Sequence, residues 1–427
     1  MRFLLRYNFS IMTTDIVLIF LSLVIIVAYV LDILSSRIKI PPIVFLVLSG
    51  LALRVFSNRT GFSVPYVEDL LPTLGAVGLI LIVLDAGLDL ELNQEKLPLI
   101  RDSFFAALVS LVLTLAAVTG FFYLTFGGDL RACLLNAIPF SIISSAIAIP
   151  GARHIDKHHS EFVTYESSFS DILGILVFNL VLFNSSYGLK TFFGFGFEIL
   201  ATTLVSVIFS LLLTLLLGKI NHKIKYLPIF SVLLLAYSVS KMLHFSPLIL
   251  VLVFGLLLNN FHLVIRGNMR LYLDVEKLRA EIGSFTSIIR ETTFVVKVFF
   301  FLLLGYSVSL GRLAGTPLML IALPLLAIVY VFRYPSLYFF RRDGLEQLMA
   351  LAPRGLITIL LFMGIPEELR IARVNDNLMV WIILGTSGIM TLGLMMQGKP
   401  DVNNGGAALP AGGAPLQAPD TAPQPKE

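Results

Sequence analysis

Residues 165–178 read YESSFSDILGILVF, a run of hydroxyls carrying two carboxylates, Glu166 and Asp171, into an otherwise apolar helix. Asp171 lies about nine residues from the start of this apolar stretch, roughly 13 Å deep at 1.5 Å per residue. A carboxylate at that depth cannot reach water by bending. It must be neutral, paired, or facing a water-filled cavity, and an ionisable group at mid-membrane costs ~2.5–3.5 kcal/mol or more. Such a residue marks a path for ions or protons. A carboxylate there holds a proton or a small cation, but not easily both, and that competition is the physical core of proton-coupled cation exchange. Glu166 and Asp171 are five residues apart and so point ~140° apart on the helix. One can face a structural partner while the other faces a cavity.

The rest of the chain explains why such a helix exists. Of 427 residues, 57% are hydrophobic and 14% charged, with a mean hydropathy of +0.90. A soluble domain carries about 25% charged residues, so a soluble enzyme, a disordered scaffold and a disulfide-stapled secreted domain are excluded. The net charge of +4 resides in short loops between apolar runs, which speaks for a membrane and not for nucleic acid. A single cysteine, Cys133, makes no intrachain disulfide or thiolate metal site. The first apolar run, Ile16–Leu34, is too long for a signal peptide and reads as a spanning helix.

At about 20 apolar residues per crossing, thirteen spans are expected: 14–34, 41–57, 72–90, 98–126, 131–151, 162–184, 196–218, 226–243, 246–262, 282–310, 314–338, 345–364 and 377–397. Pro41-Pro42 and Pro228 suit helix starts, where a missing amide costs nothing. The Pro-, Gly- and Ala-rich stretch 398–427 reads as a disordered cytoplasmic tail after a transmembrane domain over 1–397. More loop Lys and Arg fall on one side, among them Arg37, Lys39, Arg153, Lys157, Arg341 and Arg342. That side is expected to be cytoplasmic, placing the N-terminus outside and the tail inside.

Further charges fall within the spans: Asp85, Lys297, Arg333 and Arg354. Asp85 and Arg333 either serve the ion path or lie close enough to an interface to be hydrated, and Glu166, one turn inside span 6, is either a working charge or a solvated end residue. Arg354 sits midway along span 12 and needs a carboxylate on a facing helix to offset its burial; Glu166 is the expected partner. Lys297, near the middle of span 10, either pairs with an acid or snorkels along the helix.

Two spans carry matched interruptions. In span 5, Pro139 and Pro150 flank a small, hydroxyl-rich segment, and span 12 carries Pro353-Arg354-Gly355. Broken helices are tolerated where backbone lines a cavity, and paired breaks in two halves of a transporter point to its binding site. Each is the second member of a trio, spans 4–6 and 11–13. Spans 1–6 and 8–13 are therefore expected to form inverted repeats, with span 7 as linker, in an all-α polytopic fold whose broken spans 5 and 12 cross.

Together these residues resemble the monovalent cation:proton antiporter superfamily, sodium/proton exchanger type, from about residue 14 to 397. Residues 83–89 (VLDAGLD) look like its third-helix signature, and Ser144-Ser145-Ala146-Ile147 is similar to its unwound fifth helix. Residues 165–171 resemble its Glu-Ser-x-x-Asn-Asp stretch, and residues 299–305 (FFFLLLG) its aromatic run ending in glycine. Arg333-Tyr334-Pro335 and Pro353-Arg354-Gly355 complete the set.

The resemblance implies that Asp171 carries the ion, a monovalent cation, or the proton. It implies that Ser170 coordinates the ion or orders the site, and that Ser144, Ser145 and nearby carbonyls supply oxygens. Glu166 with Arg354 would hold span 6 to span 12. It also implies a homodimer in which a core bundle moves against a dimer scaffold, in a bacterial inner membrane. The partners are then Na+, Li+ or K+, protons and lipid, with no nucleic acid and no cofactor. Ser170 replaces the family's Asn or Asp, leaving one carboxylate, which favours one cation for one proton.

Competing readings are a cation channel or potassium-efflux relative on this fold, a non-transporting sensor, and a membrane-embedded enzyme. For the enzyme no loop-borne catalytic motif is found, and no phosphate-binding loop supports ATP-driven pumping. His154, Asp156, His158 and His159 in the loop after span 5 bind metal, sense pH, or form a solvated loop. Residues 219–225 form a basic loop suited to lipid headgroups, and residues 266–281 read as a short interfacial helix.

Overall fold

The computed structural model describes residues 2–60, 67–184, 188–219, 226–242, 247–264, 275–308 and 316–396, and these contain helices and no strands. The expected tail, the basic loop over 220–225 and residues 266–274 of the expected interfacial helix lie outside them. The order is α1 (Arg2–Ile38), α2 (Pro42–Thr60), α3 (Val67–Asp89), α4 (Leu97–Phe126), α5 (Leu130–Ser141), α6 (Ser145–Ala152), α7 (Lys157–Phe183), α8 (Leu189–Lys219) and α9 (Tyr226–Met242). It continues with α10 (Pro247–Asn259), α11 (Phe261–Val264), α12 (Val275–Ser307), α13 (Thr316–Val331), α14 (Arg333–Phe340), α15 (Leu345–Ala350), α16 (Leu356–Met363) and α17 (Asp376–Met396).

Eight helical segments among the described residues are long and apolar enough to cross a membrane by themselves. Three more apolar helices, within α1, α9 and α10, are shorter. These eleven correspond to eleven of the thirteen expected spans; α12 occupies span 10, and α15 and α16 flank the break of span 12. The differences in bounds have local causes. α1 begins at Arg2, ahead of the expected residue 14, because no Gly or Pro interrupts residues 2–38. It ends where Lys39 takes φ 58 and Pro41-Pro42 forbid continuation. α12 begins at Val275, so the end of the expected interfacial helix is part of span 10; no proline separates the two, and the helix runs through Gly283. Span 11 divides into α13 and α14 at Phe332, three residues before Pro335, which lacks the amide to continue the ladder.

The helices pack into two bundles. In one, α4 packs on α5, α7 and α14, while α16 closes against α5 and α7, α17 against α6, and α15 against α14 and α17. This bundle contains both trios. In the other, α2 and α3 pack along α12, and α10 packs between α3 and α8. The bundles meet where α3 lies on α16.

Two crossings in the second bundle bring backbone against backbone. A Cβ on Gly50 would lie 2.1 Å from the Leu302 carbonyl oxygen, and one on Gly305 2.2 Å from that of Val47. At α3–α10, Gly87 and Gly255 face each other in the same way, with Cβ positions 2.8 and 2.7 Å from opposing carbonyl oxygens. Glycine is required at such distances. At the seam between bundles, a Cβ on Gly75 would instead meet the Leu360 side chain at 2.5 Å.

Candidate functional site

Span 5 breaks between α5 and α6, where Ile142 (φ −90, ψ 133) and Ser144 (φ −79, ψ 117) are extended. Breaking a helix strands its amides, and buried amides need partners. The Ile143 amide donates to Ser170 Oγ at 2.9 Å, the Ser144 amide to the Pro353 carbonyl at 2.9 Å, and the Ser145 amide to Asp171 Oδ2 at 3.2 Å. Neighbouring helices thus replace the missing ladder. In span 12 the Arg354 amide donates to Thr386 Oγ1 at 3.0 Å, and the Gly355 amide to Thr358 Oγ1 at 3.3 Å. The two breaks touch: a Cβ on Gly355 would sit 2.5 Å from Ser144 Oγ. The expected crossing of spans 5 and 12 is present.

Asp171 faces this crossing from α7 and is 3% exposed. Its Oδ2 rests at the N-terminus of α6, where the helix dipole favours negative charge, and the Ser145 hydroxyl also reaches it. Its Oδ1 is buried and has no hydrogen-bond partner among the described residues, and the same holds for Ser144 Oγ. Ser170, by contrast, has its hydroxyl engaged in holding the Ile143 amide. The crossing therefore offers a buried carboxylate with one open oxygen and a neighbouring open hydroxyl. Hard oxygens of this kind suit a proton or an alkali cation.

The expected Glu166–Arg354 pair is not formed. Glu166 makes two parallel 2.9 Å bonds with Arg333, the pair being 0% and 1% exposed. Arg333 also donates to the Leu348 carbonyl at 3.3 and 3.1 Å, so it ties α7 to α14 and α15. It is not near water. Arg354 has a different partner for a reason that lies in the break itself. In an unbroken helix the Phe140 carbonyl would accept the Ser144 amide. That amide turns to Pro353, and Arg354 Nε takes the freed Phe140 oxygen at 2.7 Å, with Nη1 on the Ala352 carbonyl at 2.8 Å. A guanidinium closes the C-terminal end of α5 as a carboxylate closes the N-terminal end of α6, each matching the local helix dipole.

Asp85 and Lys297 belong to the second bundle. Asp85 has Arg290 Nε at 3.6 Å, and Arg290 Nη2 also contacts Asp89. Lys297 is half-buried, and its charge acts on Asp85, Asp89, Asp171 and Asp32. Arg290 and Thr386 are absent from the expected site. The seven-residue spacing of Arg290 and Lys297, one face of α12, is the signal that could have revealed the first; Thr386 has no such signal.

In the loop after span 5, Asp156 caps α7 by accepting from the His158 and His159 amides at 3.1 and 3.2 Å. The His159 ring contacts Asp156 and, at 3.2 Å, the Asp343 carbonyl. No cluster of three or more potential metal ligands occurs among the described residues.

Two helices broken at matched places, crossing at a buried carboxylate, define a broken-helix membrane transporter. The family model for the transmembrane sodium/hydrogen exchanger matches residues 20–396, and the chain belongs to that family. In architecture it is similar to the sodium proton antiporter MjNhaP1 from Methanocaldococcus jannaschii. It aligns with that protein's structure at pH 8 with a TM-score of 0.64 and 18% identity, covering 88% of this chain and 94% of the other. It aligns equally with its electron-microscopy structure, at a TM-score of 0.64 and 18% identity, covering 90% and 99%. No curated protein sequence matches.

Proposed function

We propose that this multi-pass membrane protein exchanges a monovalent cation for protons, with the two competing for Asp171. Sodium and lithium are the first candidates and potassium the next. The observation that carries this reading is the open Asp171 Oδ1 beside the open Ser144 Oγ at the crossing of two broken helices. Either a proton or a cation neutralises the carboxylate, and binding one displaces the other. With one carboxylate at the crossing, the exchange is one for one. The first bundle, holding both breaks, is the moving core; the second is the scaffold of a homodimer. Spans 1–6 and 8–13 are inverted repeats joined by span 7, and the core exposes Asp171 to each side in turn. The N-terminus faces outward and the C-terminal end the cytoplasm of a bacterial cell. Ser170 orders the break, and Glu166, Arg333 and Arg354 hold the core together.

The test is dequenching of a pH dye in proteoliposomes on adding sodium, lithium or potassium salts. The wild type should respond, and Asp171→Asn should not. Cation flux without proton counterflow would instead make the protein a channel, and no response to any cation would fit a non-transporting sensor.

A further inference from the structure

A cavity of about 850 Å³ opens at the ends of α3 and α10 and along the first half of α12. Among its lining charges are Glu91, Glu291, Arg279 and Arg290, two acids balanced by two guanidiniums. Arg290 is the one that also touches carboxylates leading inward. Its side chain, 55% exposed, spans Asp85 and Asp89, which lie four residues apart on one face of α3. One helical repeat further along α12, on the same face, stands Lys297, whose charge acts on both Asp85 and Asp171. Asp85, Asp89 and Arg290 thus lie together at the inner side of the cavity, with Lys297 further along the same face of α12. The other titratable groups at this seam are His262, which lines the cavity, and Asp32 of α1.

We infer that Arg290 sets the apparent affinity of cation entry: its guanidinium bonds Asp89 and lies 3.6 Å from Asp85 Oδ1, and so keeps the cavity from attracting cations. The inference rests on the exchange reading given above. The physical argument is one of charge count. With Arg290 in place the cavity is balanced, Asp89 is bonded and Asp85 has a guanidinium beside it. Without it, the mouth carries an excess acid and two released carboxylates stand behind it. A cleft lined by one sign of charge with low-dielectric walls focuses its field and concentrates the opposite ion. Because Arg290 is more than half exposed, water and ions can take its place without desolvating a deeply buried charge, unlike the Glu166–Arg333 pair.

The experiment is the apparent KM for sodium or lithium in proteoliposomes at one fixed pH, with maximal rate measured alongside. Arg290→Gln should lower the apparent KM several-fold, and added inert salt should erode that gain as it screens the mouth. Arg290→Lys should stay near wild type. Asp85→Asn with Asp89→Asn should shift KM in the opposite direction, several-fold upward, since Arg290 is then left uncompensated. Adding Arg290→Gln to that pair should return KM towards wild type. A purely structural latch would lower the rate in both variants without opposite KM shifts, and that result overturns the inference, as does an unchanged or raised KM in Arg290→Gln. If Arg290→Gln does not reach the membrane, the Asp85/Asp89 variant carries the test through its own sign. A wild type without cation-dependent proton exchange overturns the functional reading and this inference with it. A wild type that exchanges, with Arg290→Gln unmoved, overturns this inference alone.

Discussion

Glu166 and Asp171 are five residues apart on one helix, both buried, both acids, and their surroundings are opposite. Glu166 has both oxygens bonded by Arg333, which is itself bonded to the Leu348 carbonyl. Asp171 has one oxygen held by the end of α6 and the other open. A fully satisfied buried pair is a fastener: nothing can be exchanged without breaking several charge-assisted bonds at once. A half-satisfied carboxylate has an oxygen that no protein group holds, and in the proposed exchange that oxygen takes up the proton or the ion and gives it back. On the proposed reading, burial alone does not separate the exchanging acid from the structural one on this helix; the completeness of the partner set does.

This contrast breaks most sharply at the two acids themselves. Asp171→Asn should reduce exchange by at least two orders of magnitude while leaving the thermal midpoint in detergent within a few degrees of wild type. Glu166→Ala should do the reverse damage, costing about 3–5 kcal/mol by leaving Arg333 buried and unpaired, visible as a lowered midpoint and poor membrane yield. Replacing both members, with Glu166→Leu and Arg333→Met, should recover most of that stability. If Asp171→Asn proves as destabilising as Glu166→Ala, the distinction between fastener and working charge is lost.

A smaller effect is expected at the crossing. Gly355→Ala drives a methyl against Ser144 Oγ and Ile147, an overpacking that costs about 1–3 kcal/mol. It should weaken apparent cation affinity more than it lowers the thermal midpoint, because the group displaced is Ser144. An unchanged affinity would remove Ser144 from the site.

The smallest effect lies outside the membrane, at the start of α7. Burial works against the Asp156 charge, but hydrogen bonds from the His159 ring and from the His159 and His158 amides outweigh it and hold its carboxyl below the usual range. A lowered carboxyl contributes stability above the unfolded value and loses it as pH falls through the folded one. Asp156→Ala, which removes an N-cap, should cost about 1 kcal/mol near neutral pH. The difference in thermal midpoint from wild type should shrink as pH falls below about 4. A difference independent of pH would show that the cap does not act through its charge.

Much of this arrangement was legible in the sequence. Apolar run lengths give the spans, and Pro139, Pro353 and Gly355 mark the breaks, because proline and glycine act locally. The depth of Asp171 follows from counting residues. The partner of Arg354 was not legible, since it is a backbone carbonyl freed by a break in span 5, 214 residues earlier in the chain, and a carbonyl has no letter in a sequence. Glu166 could be recognised as needing a cation, but choosing between Arg333 and Arg354 requires knowing which guanidinium the carbonyls had already claimed. Arg290 lay hidden in a charged stretch at the head of α12, where charges look like solvated surface until α3 is laid beside them.

The glycine crossings have a mechanical consequence. At Gly50–Gly305 and Gly87–Gly255, peptide planes rest on one another, and sliding by even part of a residue would push a Cα into a carbonyl oxygen. Those joints resist shear as a keyed shaft does. At Gly75 the opposing surface is the leucine side chain of Leu360, which can change rotamer and let its neighbour pass. Compliance is therefore distributed unevenly: α2, α3, α10 and α12 form a stiff rail, and the lubricated face of α3 towards α16 is where displacement is cheapest.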